Sequence, residues 1–190
     1  TWDNALSILG EGAPHVLIAA GLTFVMVMRD VDISVGATAG VAGVTIAALI
    51  STEPGAGGTG IGLPFYLAFI LTLLIGLTVG LINGLLVAKV GIPPFLLTFA
   101  MMIGLVGVQL AIVGPSSIYR GMPEIFAVIG RGKIIGIDYI IIISAVLCLL
   151  LWLSLEYTAI GRKMYAIGGS KATAHLSGIN IFRYSMIAFC

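Results

Sequence analysis

Arg29-Asp30-Val31-Asp32 sets two carboxylates and a guanidinium between apolar stretches that are almost free of charge. Charge at membrane depth is costly, so it is usually paired or functional. Asp30 and Asp32 could line a substrate or ion pathway, with Arg29 partly neutralising them. Asp32 could instead cap the helix that follows, through the free amides of its first turn. An intramembrane enzyme with metal-bound carboxylates is a third fit. Mg²⁺-dependent prenyl-type chemistry wants several carboxylates and a basic phosphate-binding set, and here there is one close Asp pair. Asn83 and Gln109 carry amides that must find partners inside apolar runs. They either bond between helices or, with Asp32, Ser34 and Thr98, line a pathway. Thr23, Thr72, Thr78, Ser144 and Ser154 can return their hydroxyls to their own helix backbone. His15 and His175 have no Cys, His or carboxylate at ligand spacing, so no metal site is expected. No Ser-His-Asp set, P-loop or dinucleotide fingerprint is present. If ATP is involved, another chain binds it.

A second polar feature is longer. An apolar run ending at Leu155 gives way to Gly161-Arg-Lys-Met-Tyr-Ala-Ile-Gly-Gly-Ser-Lys-Ala-Thr-Ala-His-Leu-Ser-Gly-Ile-Asn180. Gly168 and Gly169 permit a sharp turn, Ser170 suits an N-cap, and residues 171–177 make about two turns of helix. Gly178 suits the left-handed stop. So short a helix cannot hold itself up in water and must dock on its own bundle or on a partner. An amphipathic loop on the headgroups, with Arg162 and Lys163 near anionic lipid, explains the charge. It leaves the small residues and glycines unexplained, and these favour a tight protein contact.

The elements that must position these groups are hydrophobic. Of 190 residues, 59% are hydrophobic and 9% charged, against roughly 25% charged in soluble domains. The fold class is therefore all-α: a polytopic helical membrane protein embedded in a lipid bilayer. Apolar runs near the 20-residue spanning length fall at residues 12–28, 33–50, 64–88, 93–113 and 139–155. That makes about five transmembrane helices, and residues 184–190 begin another, as in a fragment lacking at least one later span. No signal peptide is expected at the start. A net charge of +1 argues against a nucleic-acid partner, and Cys148 and Cys190 read as small apolar residues rather than a disulfide framework.

Basic residues orient the spans. With the Gly-rich loop 51–60 outside, Arg29, Lys89, Arg162, Lys163, Lys171 and Arg183 fall inside, against Arg120, Arg131 and Lys133 outside. Loop 156–183 is then cytoplasmic. Gly36 and Gly40 on one span, and Gly76, Gly80 and Gly84 on another, each stack at i, i+4 spacing. Such faces let helices approach closely in lipid; a pathway lined by glycine backbone is the other reading.

Five ordered segments resemble the permease subunits of ribose-type carbohydrate ABC importers, within the broader branched-chain amino acid/sugar permease superfamily. They are Gly21-Leu-Thr-Phe-Val, Asp32-Ile-Ser-Val-Gly36, Asn83-Gly-Leu-Leu-Val-Ala-Lys89, Ile92-Pro-Pro-Phe with Thr98, and the island above. The island is similar to the family's G-R-x-x-Y-A-I-G-G-N-x-x-A-A-x-x-S-G-I-N/R, with Ser170 for the commoner Asn. Arg29-Asp30 stands where that family more often has Gly-Gly.

The resemblance implies a single transmembrane permease domain over residues 1–190, with a coupling loop at 156–183. It implies a multi-pass protein of a prokaryotic cytoplasmic (inner) membrane that moves a monosaccharide or similar small polyol by alternating access. The implied partners are an ABC ATPase, an extracytoplasmic sugar-binding protein and a second permease subunit, identical or not. ATP and Mg²⁺ belong to the ATPase, so this chain is not expected to be an enzyme or to carry a cofactor. The coupling residues implied are Gly161, Arg162, Tyr165, Gly168, Gly169, Ser170, Ala174, His175, Leu176 and Gly178. The rival readings are an amino-acid permease of the same superfamily and an intramembrane enzyme using Asp30 and Asp32.

Overall fold

The computed structural model describes residues 2–55, 58–113, 124–134 and 136–190. Arg120, placed outside by the charge argument, lies beyond the described residues, as does the side chain of Arg131. In lipid every backbone amide must be satisfied within its own segment, and the helix does this for an apolar run. Among the described residues, four helices are long and apolar enough to cross a membrane, and a fifth is apolar but shorter.

The chain forms two compact units. The first comprises residues 1–31 and 128–189. Helix α1 (Trp2–Val27) lies along α6 (Tyr139–Tyr157). Hydropathy alone starts this span at residue 12, but the helix begins at Trp2, because a helix need not stop where apolar character stops. Gly10 makes room there: a Cβ would lie 2.8 Å from Oδ2 of Asp138. Asp138 precedes α6 and pairs with Lys133 at 3.4 Å, across the short hairpin of β3 (Lys133–Ile134) and β4 (Ile137–Asp138). After α6 come α7 (Ala159–Gly169), α8 (Lys171–Leu176) and α9 (Ile181–Phe189). Met28, Leu155, Met164, Ile167, Ala174 and Tyr184 form this unit's buried core.

The second unit comprises residues 32–127 with Cys190. Helix α2 (Val35–Ile50) packs on both α3 (Phe65–Leu85) and α4 (Pro94–Val113) around Ala37, Val41, Val79 and Leu105. A hairpin of β1 (Pro54–Gly55) and β2 (Gly58–Thr59) follows α2, and the Thr59 hydroxyl donates to the Ala48 carbonyl at 2.7 Å, pinning it to the helix end. The span expected at 64–88 continues past α3 as a single π-helical turn, Leu86–Val90, closed by Gly91 at φ 80°. Helix α5 (Glu124–Arg131) follows α4. Outward faces of α3 and α4 carry Phe69, Leu73, Leu77, Leu81, Phe95 and Ile103, an apolar surface far larger than water tolerates and suited to lipid.

The glycine faces divide. Gly80 and Gly84 are buried in α3. Gly40 lies under the Gln109 side chain, whose Oε1 would sit 2.7 Å from an added Cβ. Gly36 and Gly76 meet nothing within 4 Å among the described residues.

Candidate functional site

Residues 156–183, expected as a loop with room for one small helix, are mostly helical. Thr158 opens α7 by accepting from the Ile160 and Gly161 amides. Gly161, Met164, Ile167 and Gly168 recur at three- and four-residue spacing and form its buried face. Its glycines therefore act as contact points inside a helix, in place of the turn expected at Gly168 and Gly169. A Cβ on Gly161 would run into the Leu155 carbonyl, with the Leu155 Cα at 2.7 Å. A Cβ on Gly168 would run into the Val27 carbonyl, with the Val27 carbonyl carbon at 3.0 Å and the Met28 Cα at 3.4 Å. Helix α7 thus rests directly on the carboxyl ends of α6 and α1. Arg162 donates to the Tyr157 carbonyl at 3.4 Å, supplying charge to a helix end that carries unsatisfied carbonyls. Lys163 lies 5.6 Å from the centre of the Tyr184 ring, within cation–π range.

Ser170 then breaks and restarts the chain. At φ −160°, ψ 113° it leaves helical space, and its hydroxyl accepts from the Thr173 amide at 3.2 Å as the N-cap of α8. At the other end Gly178 has φ 76°. Its amide donates to His175 O and the Ile179 amide donates to Ala174 O, both at 3.0 Å, the paired bonds of a Schellman stop. Ala174 is 3% exposed and packs in the core beside Met28 and Met164. It holds α8 to its own bundle. Leu176 is 87% exposed and Tyr165 50% exposed, and His175 and Gly169 are also exposed. The exposed residues of the module thus include Tyr165, His175 and Leu176 beside the charged Arg162, Lys163 and Lys171.

The turn after α1 uses the same stop. The Asp30 amide donates to Val25 O at 3.2 Å and the Arg29 amide to Met26 O at 2.9 Å, with Arg29 at φ 60°. Glycine meets this conformation without strain. Arg29 does not pair with Asp30. Asp30 is 5% exposed and accepts from Lys171 Nζ at 2.7 Å, a partner the sequence did not signal.

In the second unit four of the five pathway candidates converge. Asp32 Oδ1 accepts from the Ser34 amide at 2.7 Å and the Ser34 hydroxyl at 2.6 Å. Ser34 Oγ in turn accepts from Asn83 Nδ2 at 2.9 Å. The single hydroxyl hydrogen of Ser34 is spent on the carboxylate, so Asn83 must present its N–H. Its Oδ1 is left buried and without a hydrogen-bond partner among the described residues. Thr98 accepts from the Ile33 amide at 3.2 Å and donates to Pro94 O at 2.9 Å. Asp32 thus steadies the entry to α2, and the network ties that entry to α3 and α4. Gln109 stands apart, about 16 Å further along α4 at the usual helical rise. Thr23, Thr72, Thr78 and Ser154 return their hydroxyls to their own helices, whereas Ser144 Oγ is buried without a partner among the described residues.

A family described as branched-chain amino acid transport system / permease component matches residues 4–190. The chain belongs to this permease family. The permease is 34% identical to the ribose import permease protein RbsC of Haemophilus influenzae, over 98% of this chain and 56% of the relative. It is 36% identical to the Bacillus subtilis ribose import permease protein RbsC, over 98% of this chain and 55% of the relative. The D-allose transport system permease protein AlsC of Escherichia coli is 32% identical over 100% of this chain and 55% of its own length. The permease spans a little over half the length of these curated relatives. No solved structure matches it. Family and helices together make it a multi-pass membrane protein of the ribose-type permease group.

Proposed function

We propose that this permease forms part of the translocation pathway of an ABC importer for a monosaccharide or similar small polyol, in the cytoplasmic membrane of a prokaryote. The observation that carries the cargo class is that relatives matched along nearly the whole chain are named for ribose and allose. The family description names branched-chain amino acids, which keeps amino-acid cargo as the alternative to test. Transport is driven by a separate ATPase, with a binding protein delivering cargo on the outer side and a second permease subunit completing the pathway. This chain contributes no catalytic residue and holds no cofactor; ATP and Mg²⁺ sit on the ATPase.

Helices α7 and α8 are the coupling element. Support comes from packing: Gly161 and Gly168 let α7 sit on backbone at the ends of α6 and α1, contacts that cannot give as a flexible side chain would. A push received on Tyr165, His175 and Leu176 is then passed to two membrane helices. Asp32, Ser34, Asn83 and Thr98 are the pathway candidates, and Asn83 Oδ1, without a partner among the described residues, suits a hydroxyl donor. The test is uptake into proteoliposomes carrying the full chain, its ATPase and its binding protein. ATP-dependent accumulation of labelled pentose or hexose is expected. Uptake of leucine in its place would reverse the cargo assignment, and turnover of any substrate by the chain alone would overturn the class.

A further inference from the structure

The ion pair between Asp30 and Lys171 joins residues 141 positions apart, and neither residue suits its local position. Asp30 follows the carboxyl end of the 26-residue helix α1, the negative end of the macrodipole, where a carboxylate is disfavoured. Lys171 opens α8, where a cation has no local reason to be. Each finds its compensation in the other, at 2.7 Å. The Arg29 turn creates the approach, because the left-handed residue folds Asp30 back under Val25. The second carboxylate oxygen, Oδ2, is buried and has no hydrogen-bond partner among the described residues. Lys171 is thus the one cation paired with this carboxylate among the described residues, and removing it strands a buried charge.

We propose that Asp30 and Lys171 are positioning residues for coupling: they latch the start of α8 to the carboxyl end of α1. The inference rests on the reading of α7–α8 as the coupling element. Helix α8 has six residues, too few to persist unaided. Ala174 fixes its middle through the core, and the Schellman stop fixes its end. Lys171 fixes its beginning to a specific membrane helix. Without the latch, a push on Leu176 tilts α8 about Ala174, and less of it reaches α1, through the Gly168 contact and the core alone.

The test uses the full chain assembled with its ATPase and binding protein. It compares ATP hydrolysis with and without cargo-loaded binding protein in Asp30→Asn, Lys171→Gln and the double variant, with Asp30→Glu as the conservative control. The expected result is an about tenfold loss of stimulation in each single variant, and no further loss in the double, as for two residues sharing one interaction. Asp30→Glu should keep most of the stimulation, and basal hydrolysis should be unchanged throughout. Normal stimulation in Lys171→Gln, or single losses that multiply in the double, would overturn the latch. If Lys171→Gln fails to accumulate because it strands the Asp30 carboxylate, Asp30→Asn and the double variant decide, since they leave no buried charge and the Lys171 side chain is half exposed. Leu176→Asp, run in parallel, separates the two claims. Loss of uptake there with a normal Lys171→Gln sinks only the latch, whereas normal uptake in Leu176→Asp sinks the coupling reading itself.

Discussion

Adding one methyl group at Gly168 tests whether α7 is seated on backbone. In a helix interior, Gly→Ala ordinarily stabilises by about 1 kcal/mol. Here the added Cβ would collide with the Val27 carbonyl and approach the Met28 Cα at 3.4 Å. Both belong to main chain at the end of a transmembrane helix, so relief requires α7 as a whole to shift. Overpacking of this kind costs about 1–3 kcal/mol, more where nothing can yield. The collision outweighs the propensity gain, and Gly168→Ala should be destabilising by about 1–2 kcal/mol net. Gly169 is the internal control. It is adjacent, ends the same helix, and meets nothing within 4 Å among the described residues. Gly169→Ala should be neutral or stabilising by up to about 1 kcal/mol. Thermal unfolding of the purified full chain in detergent reads the difference, and uptake by the assembled transporter should fall for Gly168→Ala alone. Equal stability of the two variants would mean that α7 is not held against α1 as described.

Three further outcomes follow from particular contacts. Ser170→Ala removes the side chain that caps α8 and should cost about 1 kcal/mol, visible as faster proteolysis near His175; unchanged cleavage would mean the cap contributes nothing. Arg29→Gly relieves a left-handed residue and should raise the stability of the folded chain by about 0.5–1 kcal/mol, the strain of about 1–2 kcal/mol less glycine's entropic penalty. A lower melting temperature would show that the Arg29 side chain, not its backbone, matters. In a background lacking Cys148 and Cys190, Tyr165→Cys should resist an impermeant thiol reagent in intact cells while Ile61→Cys reacts, as the distribution of basic residues requires; the reverse pattern would invert the orientation.

Much of this was legible in the residues. Apolar runs between Pro, Gly and charge located the long helices, because spanning length is a coarse requirement that composition meets directly. The N-cap at Ser170 and the stop at Gly178 followed from local backbone chemistry, which acts over four or five residues and is written there. Helix α7 was not foreseen. Gly168 and Gly169 look like turn formers, and only the partner backbone reveals that Gly161 and Gly168 are sites of close approach. The available signal was Thr158 as a cap, followed by Gly161, Met164 and Gly168 at helical spacing. For Ala174 the sequence leaves docking on the bundle or on a partner open, and its small side chain packs inward. Lys171 and Asp30 carry no local signal of pairing, since their proximity is created by the tertiary arrangement. Asp32, Ser34, Asn83 and Thr98 are polar residues beside apolar runs, and their hydrogen bonds show why they belong together, while Gln109 shares only their polarity.

On the proposed function, α8 presents its exposed residues to an ATPase while Ala174 anchors it inward. Zero-length or short bifunctional cross-linking measures this directly, in membranes carrying the full chain and its ATPase, with a single cysteine at Leu176 or at Ala174. Leu176 is 87% exposed and Ala174 3% exposed, so a cross-linked permease–ATPase species should form from Leu176→Cys and not from Ala174→Cys. A cross-link from Ala174→Cys alone, or none from Leu176→Cys in membranes where uptake is normal, would contradict the account.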